Sequence, residues 1–205
     1  MVKGARRADH AEDTRIAVLD AAEGLFARSG FAAATLDDVA SHARVTKGAV
    51  YHHFDSKHAL FRAVVDRLFQ RLVDDLAKSG IDRHLKAAGD LWDAVCAAYQ
   101  VRLDLVCTDE AFRRIVDQDA ISVLGHDTLT EIAQSTANAA LVPVLEEAIR
   151  MGLIEPMPAD TVAKLMGSLV AAAGREIAAA EDSNRARLEV GQTLDTFFQG
   201  LRRRS

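Results

Sequence analysis

A chain of 205 residues with 49% hydrophobic and 27% charged side chains has enough apolar material for one or two domains with ample core, in an ordinary soluble composition. Its net charge of −5 argues against a chain-wide basic field for a polyanion, and no apolar run approaches the ~18 residues of a membrane span. Cys96 and Cys107 stand eleven positions apart, a helical spacing with no metal pattern, and read as two buried thiols of a reducing compartment.

Three prolines, few β-branched runs and abundant alanine predict an all-α fold, with no internal repeat and no strand-like alternation. The basic stretch Met1–His10 leads into no hydrophobic region, so it is not read as a secretory signal and a cytoplasmic location is expected. Arg6–His10 is read as a mobile arm. Arg6 and Arg7 either are solvated terminal charges or touch phosphates or a minor groove. Glu12–Ser29 follows as an amphipathic helix with Ile16, Leu19, Ala22, Leu25 and Phe26 on one stripe. Gly30 ends it as a C′ residue, and Phe31 is expected to fold back onto Leu25 or Phe26.

Thr35–Phe54, TLDDVASHARVTKGAVYHHF, reads as two short helices with a tight break between them. Thr35 is a helix N-cap, and Asp38 can answer it in a capping box. Leu36, Val39, Ala40 and Ala43 give the first helix one apolar face. Thr46 caps a second helix, Lys47–His53, barely two turns long, with Val45 and Val50 turned toward the first. Facing outward are Thr46, Lys47, Gly48, Ala49, Tyr51 and His52. A hydroxyl, a cation, a bare backbone, a phenol and an imidazole suit phosphate oxygens and base edges, and Gly48 permits close approach. The stretch is a helix-turn-helix; a buried helical hairpin with a chance motif is the bland alternative.

TLDDVA, VTKGAVYHHF and SKHAL, spread over Thr35–Leu60, resemble the DNA-binding domain of the TetR family of bacterial repressors. The resemblance is specific in this N-terminal part and weak beyond it. It departs at Arg44, where the family usually has glycine. A non-glycine residue in a left-handed turn costs ~1 kcal/mol, so either the turn differs here or Arg44 is tolerated and reaches a phosphate.

Residues 1–60 hold eight basic and eight acidic side chains, so the whole net charge of −5 belongs to residues 61–205. DNA affinity would then rest on placed cations and not on a basic field. The next helix starts at Asp55-Ser56-Lys57 and runs to about Ser79, long enough to connect two domains. Lys57 in its first turn opposes the helix dipole; it is either a phosphate clamp at the helix N-terminus or an exposed lysine of small consequence.

Gly80 breaks the chain and a second domain follows. Leu85–Cys107 carries Leu91, Trp92, Val95, Tyr99, Leu103 and Val106 on its apolar side, and Asp109–Leu124 carries Phe112, Ile115 and Val116. Asp127–Met151 is a long helix that Pro143 should kink. Gly152 ends it, and Asp160–Asp182 and Asn184–Arg203 complete the chain. Two polar features interrupt the core pattern: Gln134, Ser135, Thr136 and Asn138 in the long helix, and Arg175-Glu176 in an alanine-rich run. They face solvent, a dimer partner, or a pocket that Trp92, Cys96, Tyr99, Leu103 and Phe112 would line, with Asn138 and Arg175 as its polar contacts. In the last two helices Val162, Leu165, Leu169 and Ala173 form one stripe, and Leu194 and Phe198 belong to another. Both suit a four-helix dimer interface; packing within one chain would use the same residues.

No catalytic constellation is visible. His52, His53 and His58 straddle a helix break and make no metal pair, and neither a metal nor another cofactor is expected. The fold that follows is all-α: a helix-turn-helix domain over residues 1–55, a connecting helix over 56–79, and a helical ligand-binding and dimerisation domain over 80–205. The resemblance implies a homodimeric repressor that binds a palindromic double-stranded operator and is released by a small, largely apolar effector, with no membrane partner. Its DNA contacts would be Thr35, Arg44, Thr46, Lys47, Gly48, Ala49, Tyr51, His52 and Lys57. An all-helical carrier without regulatory DNA binding is the rival.

Overall fold

The computed structural model describes residues 2–79 and 90–203, with side chains described over residues 10–77 and 90–203. Described residues are helical almost throughout. The elements are α1 (Val2–Ala33), α2 (Leu36–Ala43), α3 (Lys47–His53), α4 (Lys57–Ser79), α5 (Leu91–Thr108), a wide π-helical stretch π1 (Phe112–Asp119), α6 (Ala120–Ala133), a second π stretch π2 (Gln134–Asn138), α7 (Ala139–Arg150), α8 (Ala159–Ala179) and α9 (Ser183–Gln199). The one pairing outside helices is an isolated antiparallel bridge between Ile154 and Arg202 among the described residues. No described helix is long and apolar enough to cross a membrane.

Two expectations change at the N-terminal end. The backbone of residues 2–9 continues α1, where the sequence suggested a mobile arm. The side chains of Arg6 and Arg7 lie outside the described residues, as do the predicted break at Gly80 and helix start at Leu85. Gly30 does not finish the helix but interrupts it at φ 75°, ψ 168°, after which the chain turns helically through Ala33. Phe31 does fold back as anticipated, its ring 5.9 Å from that of Phe26, and it also meets Phe61 at 5.0 Å and His58 at 4.8 Å.

The apolar stripes form two cores. The first gathers Val18, Ala22 and Phe26 of α1, Val39 of α2, Val50 of α3, and Leu60, Phe61, Val64 and Leu68 of α4. It is completed by Phe112, Ile115 and Val116 of π1 and Ile132 of α6, which come from beyond the connecting helix. Each fully buried large side chain contributes about 1.5–3 kcal/mol. The second core joins Trp92, Leu103 and Val106 of α5 to Leu145 of α7, Val162, Met166 and Ile177 of α8, and Leu194 and Phe198 of α9.

Gly125 (φ 80°, ψ 166°) breaks α6, and Gly152 (φ 71°) follows α7, positions where a positive φ favours glycine. Pro143 lies inside α7 and cannot donate to the Ala139 carbonyl; the wide turn π2 comes just before that segment. The basic tail has more to do than balance a helix dipole. Arg202 bonds Asp90 and Asp93 at 2.6 Å each, tying the end of the chain to the first turn of α5 and holding the Asp90 carboxyl below its usual range.

Candidate functional site

The helix-turn-helix is built from local chemistry. Thr35 Oγ1 accepts from the Asp38 N–H at 3.1 Å, and Asp38 Oδ2 accepts from the Thr35 N–H at 3.3 Å, closing the predicted capping box. Arg44 ends α2 at φ 56°, ψ 38°, in the left-handed conformation, and its N–H bonds back to that helix. The turn is therefore kept, and arginine is strained into it. Thr46 caps α3 by accepting the Ala49 N–H at 3.2 Å. Val50 is fully buried, which fixes the rotation of α3 and leaves Thr46, Lys47, Gly48, Tyr51 and His52 exposed, with Ala49 half-buried. A Cβ built on Gly48 meets only Thr46 Oγ1, at 3.9 Å, so no packing demand explains glycine there.

Two cations on this face already have partners. Lys47 Nζ lies 2.8 Å from Asp37, whose hydrogen bond and charge raise the lysine pKa. Lys57 is not free to act as the expected phosphate clamp. Its ammonium donates to the carbonyls of Phe31 at 2.9 Å, Ala32 at 3.3 Å and Ala34 at 3.0 Å, and lies 4.3 Å from the centre of the Phe31 ring. All three N–H bonds are thus spent at the C-terminal end of α1, the negative end of that dipole, and none is left for a phosphate.

A cavity of about 450 Å³ opens between α4, α5, α6, α7 and α8. Of the predicted ligand residues, Tyr99, Asn138 and Arg175 line it. Trp92, Cys96, Leu103 and Phe112 do not. Trp92, Cys96 and Leu103 are spent in the second core, and burial pushes the Cys96 thiol up to about 12, leaving it inert at neutral pH. Phe112 belongs to the first core. Position on a shared helix face told apolar from polar but could not tell core from cavity. Most of the apolar wall was missed: Phe69, Leu72, Val73 and Leu76 of α4 and Leu129 of α6. Leu72 belongs to the first core, and Phe69, Leu76 and Leu129 pack against it, so periodicity offers no signal that separates wall from core.

At the floor lies a buried ion pair that the sequence did not reveal. Arg102 Nη2 donates to Asp117 Oδ1 at 2.6 Å, and the guanidinium stacks 4.4 Å over the Phe112 ring. Burial pushes the Asp117 carboxyl up, against the opposing pull of Arg102 and Arg175. Gly174 of α8 sits against both partners, and a Cβ there would strike Asp117 Oδ1. Among the described residues no group of His, Cys, Asp and Glu could hold a metal.

The proposed interface residues also divide. Val162, Ala173, Leu194 and Phe198 are buried inside the chain, so they hold the fold and are unavailable to a partner. Leu165 and Leu169 on α8 remain exposed at 62% and 44%, and Leu188 and Phe197 on α9 at 64% and 63%.

Residues 18–64 match the family described as bacterial regulatory proteins, tetR family, and residues 92–201 match the tetracyclin repressor-like C-terminal domain. A 65-residue segment is 42% identical to the HTH-type transcriptional regulator TtgR of Pseudomonas putida, covering 32% of this chain and 31% of that protein, so the match spans about a third of that relative. The HTH-type transcriptional repressor BepR of Brucella suis is 27% identical over 200 residues, 94% of this chain and 93% of that one. Among solved structures, a TetR-family transcriptional regulator from Pectobacterium atrosepticum superimposes with a TM-score of 0.79 at 26% identity, over 96% of this chain and 97% of that chain.

Proposed function

The chain belongs to the TetR family of bacterial regulatory proteins, and from that premise we propose that it is a homodimeric repressor, released from a palindromic operator by a small, largely apolar effector. The observation that carries this reading is the face of α3, where Thr46, Lys47, Gly48, Tyr51 and His52 stand exposed while Val50 anchors the helix from behind. Donors, acceptors and an unhindered backbone on one side of a capped helix suit the major groove. Thr35, Arg44 and Ala49 flank that face; Lys57 supports it from within. Residues 1–55 act as the head, 56–79 as the connector and 80–205 as the body.

The cavity supports the effector half of the proposal. Its wall takes residues from α4, the same helix whose first turn fastens α1 through Lys57, so an occupant would act directly on the element that carries the head. Dimerisation is assigned to the exposed apolar residues of α8 and α9, Leu165, Leu169, Leu188 and Phe197. The test is selection of bound fragments from random double-stranded DNA, followed by gel shifts over a salt series. Expected is a two-half-site motif about one helical turn, ~34 Å, apart, with affinity falling steeply as salt rises. Recovery of no motif would remove the DNA-binding reading.

A further inference from the structure

The cavity wall holds one acidic side chain, Asp117, against three cationic ones, Arg102, Lys164 and Arg175. Two of the cations have carboxylate partners, Arg102 in Asp117 and Lys164 in Asp160, each at 2.6 Å, although Arg102 Nη1 and Asp117 Oδ2 stay buried without a hydrogen bond. Arg175 has no hydrogen bond or ion pair among the described residues, although it is half-buried and its charge is felt at Asp117. Several neutral donors on the wall are also unused among the described residues, Thr130 and Gln134 included. The hydroxyl of Tyr99 and the side-chain amide of Asn138 have no hydrogen-bond partner among the described residues, and Asn138 is only 9% exposed.

These groups are arranged along the cavity. Gly174, beside Arg175, lies against Asp117 and Arg102, which places Arg175 at that end, whereas the Tyr99 ring packs 5.1 Å from Phe198 of the second core. Asn138 lies against Gly167, its Oδ1 2.7 Å from where a Cβ would be, two turns or ~10 Å back along α8. Much of the rest of the wall is apolar, with Phe69, Leu72, Leu76, Leu129, Leu141 and Val144, beside the polar His126, Thr130, Gln134 and Ser168.

An occupant that fills this space strips water from Arg175. A neutral occupant leaves the guanidinium desolvated and unpaired, which is strongly unfavourable. An anion removes that penalty and adds charge-assisted hydrogen bonds. We infer that the effector is an amphipathic organic acid, with a carboxylate held by Arg175 and an apolar body of about 10 Å that reaches toward Asn138. The ligand class deepens the effector reading above and rests on it only for its consequence at DNA.

Calorimetric titration of the full chain tests this with two matched pairs of probes, decanoate against 1-decanol and 2-naphthoate against 2-naphthol. In each pair the acid is expected to bind at least about tenfold more tightly than the alcohol. Arg175→Gln should abolish that preference while alcohol affinity stays within about twofold, and Arg175→Lys should retain part of it. Alcohols that match the acids on the unaltered chain, an Arg175→Gln variant that keeps the preference, or failure of both acids to saturate the chain below about 1 mM would each overturn the assignment. Gel shifts on the selected DNA, run on the same preparations, read the regulator proposal separately. Acid binding without DNA release overturns the effector role and leaves the acid site intact.

Discussion

Arg44 holds φ 56° and ψ 38° between α2 and α3, a conformation that costs a residue with a Cβ about 1 kcal/mol or more. Its exposure offers no packing return for that strain. Arg44→Gly is therefore expected to stabilise the chain by up to about 1 kcal/mol in urea unfolding, less whatever glycine adds to the unfolded entropy. The same variant should weaken operator binding and lower the salt slope by about 1, because a phosphate contact is lost. An unchanged slope would leave the arginine without a role at DNA. Lys57→Ala should behave in the opposite way. It removes a charged donor from three carbonyls and should cost about 2 kcal/mol of stability, with the salt slope unchanged. The two residues show what a sequence discloses at this scale. The capping box of Thr35 and Asp38 and the cap at Thr46 are legible because both partners lie three positions apart. The partners of Lys57 lie 23 to 26 positions away, and nothing in local spacing points to them.

At the scale of elements, periodicity identified the apolar faces but not what covers them. The stripes on α8 and α9 read equally as interface or core, and the structure divides them: Val162 and Phe198 go inward, Leu165 and Leu169 stay outside. The pair Arg102–Asp117 was invisible because its members sit on different elements, and only Gly174 on a third element makes room for them. That contact gives a prediction. Gly174→Ala places a Cβ against an acid already locked in an ion pair, and overpacking of this kind costs about 1–3 kcal/mol. Gly167→Ala presses instead on Asn138, whose amide has no bonded partner to lose, and should cost less. Thermal unfolding of the two variants side by side checks the order; a Gly167→Ala variant that is the less stable of the two would show that the ion pair yields more easily than the amide.

For the whole molecule, the proposed dimer rests on apolar residues that one chain leaves uncovered. Leu165→Asp or Leu169→Asp should shift sedimentation from dimer to monomer and reduce operator affinity together, since each half-site alone gains little from the other. A dimer that survives both substitutions would place the contact on other residues. The first core carries a further consequence. Its wall is closed by Phe112, Ile115 and Val116, residues that arrive after the connecting helix, and the junction is sealed by the Phe31 N–H on Asp119 at 2.9 Å. The head therefore borrows part of its interior from the body. Differential scanning calorimetry of the full chain should give a single endotherm whose calorimetric and van't Hoff enthalpies agree, with no separate low-temperature melting of the head. A fragment cut at Ser79 would strip Phe69 of its contact with Phe112, and it should remain partly collapsed, binding hydrophobic dyes and lacking sharp side-chain resonances.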